Sequence, residues 1–585
     1  MKDSLMEEAS IIQQEYKDGL AYKVQQGYPS KWAEFERFRA GDQWAPPTSR
    51  TMALPRPVLN LIDQIQSHRV SSVMNENIKM VFSASEVEEE SPVMKAADTF
   101  TRFADATWER IGQDDLNEEA LDSASNIGTA IWHYYWDSSK TGGNKLKWSG
   151  TLEGEQIDAV NFFPSNPQQR FVQKQKYIII TGREDVSSVR SLAKANGLSN
   201  ELINRIQPDS DTEDQVYDKA KQELSGSDKV TVITKYWRET VTEEKMNDKG
   251  NPYKISYQQI FFTKVAGNVV VKPKTNTRLK LYPLEVMQWK RRKRSIFGVG
   301  DTEGLIANQK SINFLIAMQI LSVQLTGFPK LLVKKEFITQ NPTNDPGEII
   351  FDNSPPGSGW GMQYLNPGNI SGHAQQLVDS LTSFTKEVSG ANESSMGEQV
   401  SANMPAAAIM MLQKAAGIPI ESVKRRFYKS MENIGRIWEE FFKVYYNTTR
   451  MITIKDDDQE TYSTEFNGSD YQDTEMNLKV DVGASSAYSE TLMMSSLDKL
   501  FDKGDLNLEQ YLKYAPKNVV PFKDRLLKEI QEMQEQQIND QGNVEQLIQQ
   551  LSPEEQQSFM SAPPEVQQQI LAELQAPQGG QMPPM

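Results

Sequence analysis

At 585 residues, with 38% hydrophobic and 24% charged residues, the chain has globular composition and length enough for about four domains of ~150 residues each. Its net charge of −16 argues against a protein that coats DNA, which needs clustered Lys and Arg to neutralise phosphates. The absence of cysteine excludes disulfides, zinc–thiolate sites and cysteine nucleophiles.

The first residues carry Asp3, Glu7 and Glu8 and no apolar segment. Neither a secretory nor a transit signal fits, so the chain is expected in the cytoplasm where it is made. From Met1 to about Asn126 the pattern is helical throughout, with Trp32, Phe35 and Phe38 at three-residue steps and a later run through Met94, Ala97, Phe100, Phe103 and Trp108. Loops are marked at Gly41 to Pro47 and Pro55 to Pro57. Strands are expected at Thr129 to Asp137, at Arg170 to Gly182, and between Val230 and Val271, the last broken by the turn Asn247-Asp248-Lys249-Gly250. That middle reads as α+β with antiparallel hairpins.

A long helix follows from about Asp301 to Thr326, apolar on nearly all sides in its later turns, which predicts neighbours of the same kind around it. It is not a membrane span. Its apolar stretch Ile312 to Leu325 is broken by Asn313, Gln319, Ser322 and Gln324, and no window reaches ~18 uninterrupted apolar residues. Residues Gly327 to Gly372 form a small lobe, with strand pieces at Leu331 to Val333, Glu348 to Phe351 and Gly361 to Leu365 between prolines and glycines. A second helix is expected at about His373 to Val388, then a mobile loop from Ser389 to Met404.

The helix from Pro405 to about Tyr446 carries Ile420, Val423, Phe427, Met431, Ile434, Trp438, Phe441 and Tyr445 at helical spacing. Gly417 and Pro419 lie inside it and predict a kink, because proline removes a backbone donor and clashes with the preceding turn. A hairpin-like segment, Met451 to Val482, precedes a helix from Ala487 to Lys503. Beyond Asp524, Gln, Glu, Met and Pro dominate, and the end is expected to be disordered.

No nucleotide or metal motif stands out. Gly298, Gly300 and Gly304 are spaced G-x-G-x-x-x-G with no βαβ unit around them, and no G-x-x-x-x-G-K-[ST] loop is present. His68, His133 and His373 lie far apart, with no HExxH, and read as structural or surface residues. The acidic runs Glu88 to Glu90 and Asp456 to Asp458 lack the glycine and final Glu of a calcium loop. The basic run Lys290, Arg291, Arg292, Lys293 and Arg294 is either a solvated run at the mouth of a helix, a contact to phosphate, or a partner for acids of a neighbouring subunit.

Four stretches together resemble the portal proteins of tailed phages. WAEFERFRAGDQW, Trp32 to Trp44, is similar to the early aromatic and G-D-Q-W pattern of podovirus-type portals. YPLEVMQWKRRKRSIFGVGDTEGLIANQKSIN, Tyr282 to Asn313, resembles the family's approach to its first stem helix, and EVSGANESSMGEQVSANMPA, Glu387 to Ala406, its passage from second stem helix to tunnel loop. GASSAYSETLMMSSLDKLFDKGDLNLEQYLKYAP, Gly483 to Pro516, resembles the segment that returns to the wing. The coverage is about residues 20 to 520, and the order of the four stretches carries the match. The tail after about Gln541 matches no fixed family pattern.

The resemblance implies an α+β, mainly helical portal fold assembled as a twelve-membered ring. It implies a wing at 1–297, stem helices at 298–326 and 373–388, a clip at 327–372 and a tunnel loop at 389–404. A long kinked helix at 405–446, a wing-return segment at 447–520 and a crown with its tail at 521–585 complete it. Implied partners are double-stranded DNA in the channel, the large terminase, head-completion or adaptor and tail proteins, and major capsid and scaffolding proteins, with no membrane and no cofactor. The implied place is the virion's portal vertex. Channel-facing candidates are Asn392, Glu393, Ser394, Ser395, Glu398, Gln399, Ser401 and Asn403; clip candidates for terminase and adaptors are Leu331, Lys334, Lys335, Glu336, Asp345, Asp352, Trp360 and Tyr364. A minor capsid or scaffold protein without a channel fits the composition equally well, and no catalytic role is expected.

Overall fold

The computed structural model describes residues 2–49, 51–52, 54–76, 78–84, 92–142, 148–209, 228–246, 252–327, 330–337, 351–357, 359, 361–365, 373–391, 406–455, 461–472, 476–482, 487–504 and 506–515, and beyond these 520, 523, 525–527 and 529–530. The chain divides into two compact units: Met1–Ile452 with Thr464–Gly483, and Thr453–Ser463 with Ala484–Met585.

The first unit opens with helices α1 (Lys2–Gln26), α2 (Tyr28–Arg39) and α3 (Leu61–Met74). Gly27, at φ 69°, separates the first two and Pro29 starts the second, the usual division of labour between a residue free to turn left-handed and one preset for a helix. On α2 the aromatic spacing buries Tyr28, Trp32, Phe35 and Phe38 together. Asn60 caps α3, its side-chain oxygen accepting from the Asp63 amide at 3.3 Å.

The uniformly helical reading of this region fails at β1 (Ile78–Ala84), which precedes α4 (Pro92–Ile111) and α5 (Gln113–Ile127). Met80 and Phe82 are buried while Lys79 and Ser83 are exposed, the two-residue alternation of a strand. Its partner, β14 (Met476–Val482), lies at the far end of the sequence, with Ile78 opposite Val482 and Ala84 opposite Met476. The hairpin expected over Met451 to Val482 is corrected by the same pairing. β12 (Arg450–Lys455) and β13 (Thr461–Phe466) form a two-stranded sheet, but β14 leaves it for β1.

Two antiparallel sheets build the middle. One has the order β3-β2-β9, from β2 (Thr129–Gly142), β3 (Trp148–Gln156) and β9 (Leu284–Gln288). The other runs β4 (Phe162–Pro164), β5 (Tyr177–Asp185), β6 (Lys229–Met246), β7 (Pro252–Ala266), β8 (Val269–Asn276), each paired with the next. α6 (Val186–Ala195) and α7 (Asn200–Ile203) pack on its apolar edge through Val189, Ala193, Ile203 and Val232. The strand expected from Arg170 begins only at Tyr177. Gln175 closes the preceding loop instead, its amide donating to the Asn166 and Gln169 carbonyls at 3.0 and 2.8 Å. The expected turn at 247–250 lies outside the described residues, but Met246 faces Pro252 across it.

The helix pair follows as expected: α8 (Thr302–Gly327), β10 (Lys330–Val333), β11 (Met362–Leu365) and α9 (His373–Ser389), with β10 antiparallel to β11. Of the third expected strand piece, 348–350 lie outside the described residues and Phe351 is in no strand. α10 (Ala406–Tyr445) contains Pro419 and buries Ile420, Val423, Phe427, Met431, Ile434, Trp438 and Phe441, the side its periodicity marks. Its end packs in an aromatic cluster in which the Phe103 ring lies 4.5 Å from Phe442 and 4.2 Å from Phe466.

In the second unit, α11 (Ala487–Asp502) and α12 (Leu508–Tyr514) are joined by a turn through Gly504, and Asn507 and Gln510 form a capping box at 2.7 and 3.2 Å. Among the described residues no helix is long and apolar enough to cross a membrane.

Candidate functional site

The site is the paired helices α8 and α9, their root in the first unit, and the small β-lobe they carry. At the root, loop 290–299 is pinched shut where Lys290 and Val299 exchange backbone hydrogen bonds of 3.1 and 3.0 Å. The chain then runs against the end of α5. A Cβ on Gly298 would lie 2.1 Å from the Gly128 carbonyl oxygen, and one on Gly300 2.1 Å from that of Asn126. These glycines therefore serve close approach of backbone to backbone, as their lack of a βαβ context implies.

Asp301 anchors the start of α8. Its carboxylate is 2% exposed and meets Arg69 Nε at 2.9 Å, Lys290 Nζ at 2.8 Å and the donated Trp289 indole N–H at 2.8 Å. Arg69 also donates to the Ser389 carbonyl, fastening the end of α9 to the same point. Beside it, Thr302 donates to Asn126 Oδ1 at 2.6 Å and receives the Gln66 amide.

Two turns further and beyond, the Gln and Asn of α8 are structural. Gln309 donates to the Leu59 carbonyl at 2.6 Å and to Asn313 Oδ1 at 2.9 Å, and Asn313 donates to Gln43 Oε1 at 2.6 Å. Gln43 belongs to the G-D-Q-W stretch, whose Trp44 indole donates to the Pro57 carbonyl at 2.9 Å. Trp32 and Tyr28 pack on Phe297 at 5.5 and 5.3 Å between ring centres. Two of the four sequence stretches singled out above thus meet in one network around the helix root.

α8 and α9 are tied by Asn308 donating to Thr385 Oγ1 at 3.0 Å and Gln319 to Gln375 Oε1 at 3.3 Å. Ile312, Ala317 and Val378 are buried. The opposite side is left bare: Phe314 is 51% exposed, Phe384 59% and Val388 84%, with Met318, Leu325 and Leu377 in the same two stripes. On each helix these side chains recur at four- and seven-residue spacing, an apolar stripe of the kind that marks a contact with another molecule.

In the lobe, Leu331 pairs with Tyr364 across β10 and β11, and Lys334, Lys335 and Glu336 follow on an exposed turn. The Ser354 hydroxyl, and then the Gly361 amide at 2.9 Å, hold the Asp352 carboxyl below the usual carboxylate range. Asp345 and Trp360 lie outside the described residues, as do the channel-facing candidates Asn392, Glu393, Ser394, Ser395, Glu398, Gln399, Ser401 and Asn403 and the acidic runs at 88–90 and 456–458. Gly390, at φ 75°, ends α9 against Pro419, to which a Cβ would approach within 3.0 Å. Gly417, by contrast, has open space around it.

The basic run divides by position. Lys290 pairs with Asp301, Arg292 pairs with Glu303 at 3.2 Å, and Arg291 lines a cavity of about 850 Å³ between β9 and α10. Lys293 and Arg294 are exposed, Arg294 with φ 50°. Nothing in the sequence signalled that α10 would contribute Arg425, Arg426, Lys429 and Arg436 to the same cavity.

Glu285 forms part of the cavity wall, and burial pushes its carboxyl up to about 7, against hydrogen bonds from Asn433 and Ser430. A carboxyl with a folded value above its unfolded one binds its proton more tightly in the folded state. It therefore stabilises the fold fully below about pH 4.5, and that contribution is lost as pH rises to about 7. Glu285→Gln is expected to remove this slope, raising stability by about 3 kcal/mol at about pH 8 and changing little at about pH 4. Urea midpoints at the two pH values check it; equal slopes for variant and wild type would show that Glu285 is not the group responsible.

His133 is buried between Glu155 Oε1 at 2.7 Å and the Tyr236 hydroxyl at 2.9 Å, while His68 and His373 lie elsewhere, and among the described residues no cluster of potential metal ligands occurs. A family model described as phage P22-like portal protein matches residues 20–582, nearly the whole chain. No curated protein matches it.

Proposed function

Because this chain belongs to the family of phage P22-like portal proteins, structural components of the virion's capsid vertex, we propose that twelve copies form the ring through which the genome enters and leaves the capsid. The observation that carries this reading is the α8–α9 pair, whose bare apolar stripes need other copies to cover them. In a ring, α8 and α9 are the stem and the β10–β11 lobe is the clip. The network around Asp301 sets the angle at which the stem leaves the wing.

The clip residues Leu331, Lys334, Lys335, Glu336, Asp345, Asp352, Trp360 and Tyr364 are proposed to receive the large terminase and, after packaging, head-completion and tail proteins. Residues 392–403, which contain Glu393 and Glu398 and no Lys or Arg, are proposed to face the DNA. Their charge repels phosphate and keeps a moving duplex from being held by counterion release. The kink expected at Gly417 and Pro419 would let that segment respond to DNA. The chain is proposed to do no chemistry; the terminase supplies the work of packaging.

Negative-stain imaging with a mass measurement tests the reading. Rings with a central hole and a mass of about 0.8 MDa, twelve copies of 66.4 kDa, are expected. Protein that stays monomeric at high concentration and with scaffolding protein present would overturn the ring and favour a minor capsid or scaffold role.

A further inference from the structure

We infer that the basic cavity between β9 and α10 receives the acidic first turns of α5 from a second copy of this chain, making a head-to-tail contact that propagates around the ring. The inference rests on the ring reading above and adds which surfaces meet.

The cavity's charge is unbalanced within the chain. Arg425, Lys429 and Arg436 follow one another at four- and seven-residue spacing along one side of α10, with Arg426 beside them and Arg170 and Arg291 on the facing wall. Arg425 is 3.5 Å from Glu421 and Lys429 2.5 Å from Glu432. Arg170, Arg291, Arg426 and Arg436 have no carboxylate partner among the described residues. Arg426 donates to the Trp289 carbonyl at 2.5 Å, but its Nε is buried without a hydrogen-bond acceptor, and the neighbouring Arg291 adds like-charge repulsion to its burial. Guanidinium groups gathered this way in a chain of net charge −16 call for an anionic surface to meet them.

The same unit carries such a surface. Asp114, Asp115, Glu118 and Glu119 are exposed on α5, and none has a cationic partner among the described residues. Burial, followed by repulsion from Asp158 and Asp122, pushes the Glu119 carboxyl up, so further acids lie beside this surface.

Position makes the two surfaces a pair. In the sheet β3-β2-β9, α5 packs on β2 and β3, and α10 crosses β9 and β2, with Phe427 and Trp438 against Trp132 and Tyr134, while the cavity itself is walled by β9. The acidic helix and the basic cavity therefore sit toward opposite edges of one sheet. A contact between two different surfaces of the same chain is heterologous; repeated from copy to copy it gives a ring where the rotation closes and a filament where it does not, rather than a two-fold dimer. DNA phosphate fits the cavity's charge less well, because the cavity also has aliphatic walls from Val286, Met287, Ile418 and Ile437.

The test is charge reversal on the full chain, with assembly followed by mass photometry over a concentration series. Arg291→Glu with Arg436→Glu, both at exposed positions, is expected to raise the half-assembly concentration about a hundredfold, since like charges then meet across the contact. Asp115→Lys with Glu118→Lys should do the same. Combining all four changes should restore rings to within about tenfold of wild type, a rescue that misfolding would not produce. If the cavity variant assembles like the wild type, the contact is wrong while the portal reading stands. If it assembles normally and loses only retention of a fluorescent DNA duplex, the cavity is a phosphate site and the contact is overturned. Failure of the fourfold variant to recover removes α5 as the occupant, and wild-type protein that forms no rings removes both readings.

Discussion

Replacing Asp301 with alanine is expected to cost about 3–5 kcal/mol, the range for removing one partner of a buried ion pair. Against a total stability of about 5–15 kcal/mol, that is enough to unfold a large share of the molecules or to free the helix pair from its root. The loss arises at Arg69. Its side chain is 8% exposed and would be left facing Trp289 and the Ser389 carbonyl with no counter-charge. Lys290, the other partner, is 51% exposed and recovers its hydration once released. Lys290→Met is therefore expected to cost under about 1 kcal/mol, and Arg69→Ala to resemble Asp301→Ala. Urea unfolding of the three variants decides the matter, and an Asp301→Ala variant no worse than Lys290→Met would show that the buried pair does not hold the root.

Gly300→Ala is the second large effect. The new methyl would fall 2.1 Å from the Asn126 carbonyl oxygen and 2.8 Å from that of Ser125, both backbone atoms held by α5. Overpacking of this kind costs about 1–3 kcal/mol and more where the neighbour cannot move. Here it would also strain the hydrogen bond that the Asp301 amide donates to the Ser125 carbonyl at 2.7 Å. Gly304 supplies the contrast. It lies in the first turns of α8 with nothing around its would-be Cβ, so Gly304→Ala is expected to stabilise by about 0.5 kcal/mol through helix propensity and a less disordered unfolded chain. Thermal melts that rank the two variants alike would contradict a backbone-packing role for Gly300. The two glycines belong to one G-x-G-x-x-x-G stretch, and only their neighbours in space distinguish them.

The same division between what is local and what is distant runs through the whole chain. α2, α8, α9 and α10 were legible because a helix writes its buried side into the sequence every three or four residues. Trp32, Phe35 and Phe38, or Ile434, Trp438 and Phe441, are buried for that reason. The β6–β7 hairpin was legible because turn residues separate two β-branched and aromatic runs. The order of these elements, with the four stretches that resemble portal proteins, was enough to identify the family that the match over residues 20–582 bears out.

What the sequence by itself determined is thus the helices α2, α8, α9 and α10, the main hairpin and the family. The tertiary structure alone decided the pairing of β1 with β14, the fastening of Arg69 to Asp301, the burial of Gln309 and Asn313 against Gln43, and the division of the basic run between internal pairs and a cavity shared with α10. Each of these joins residues far apart in the chain. Periodicity reports only which side of a segment avoids water, whereas the partner that covers that side is chosen by folding.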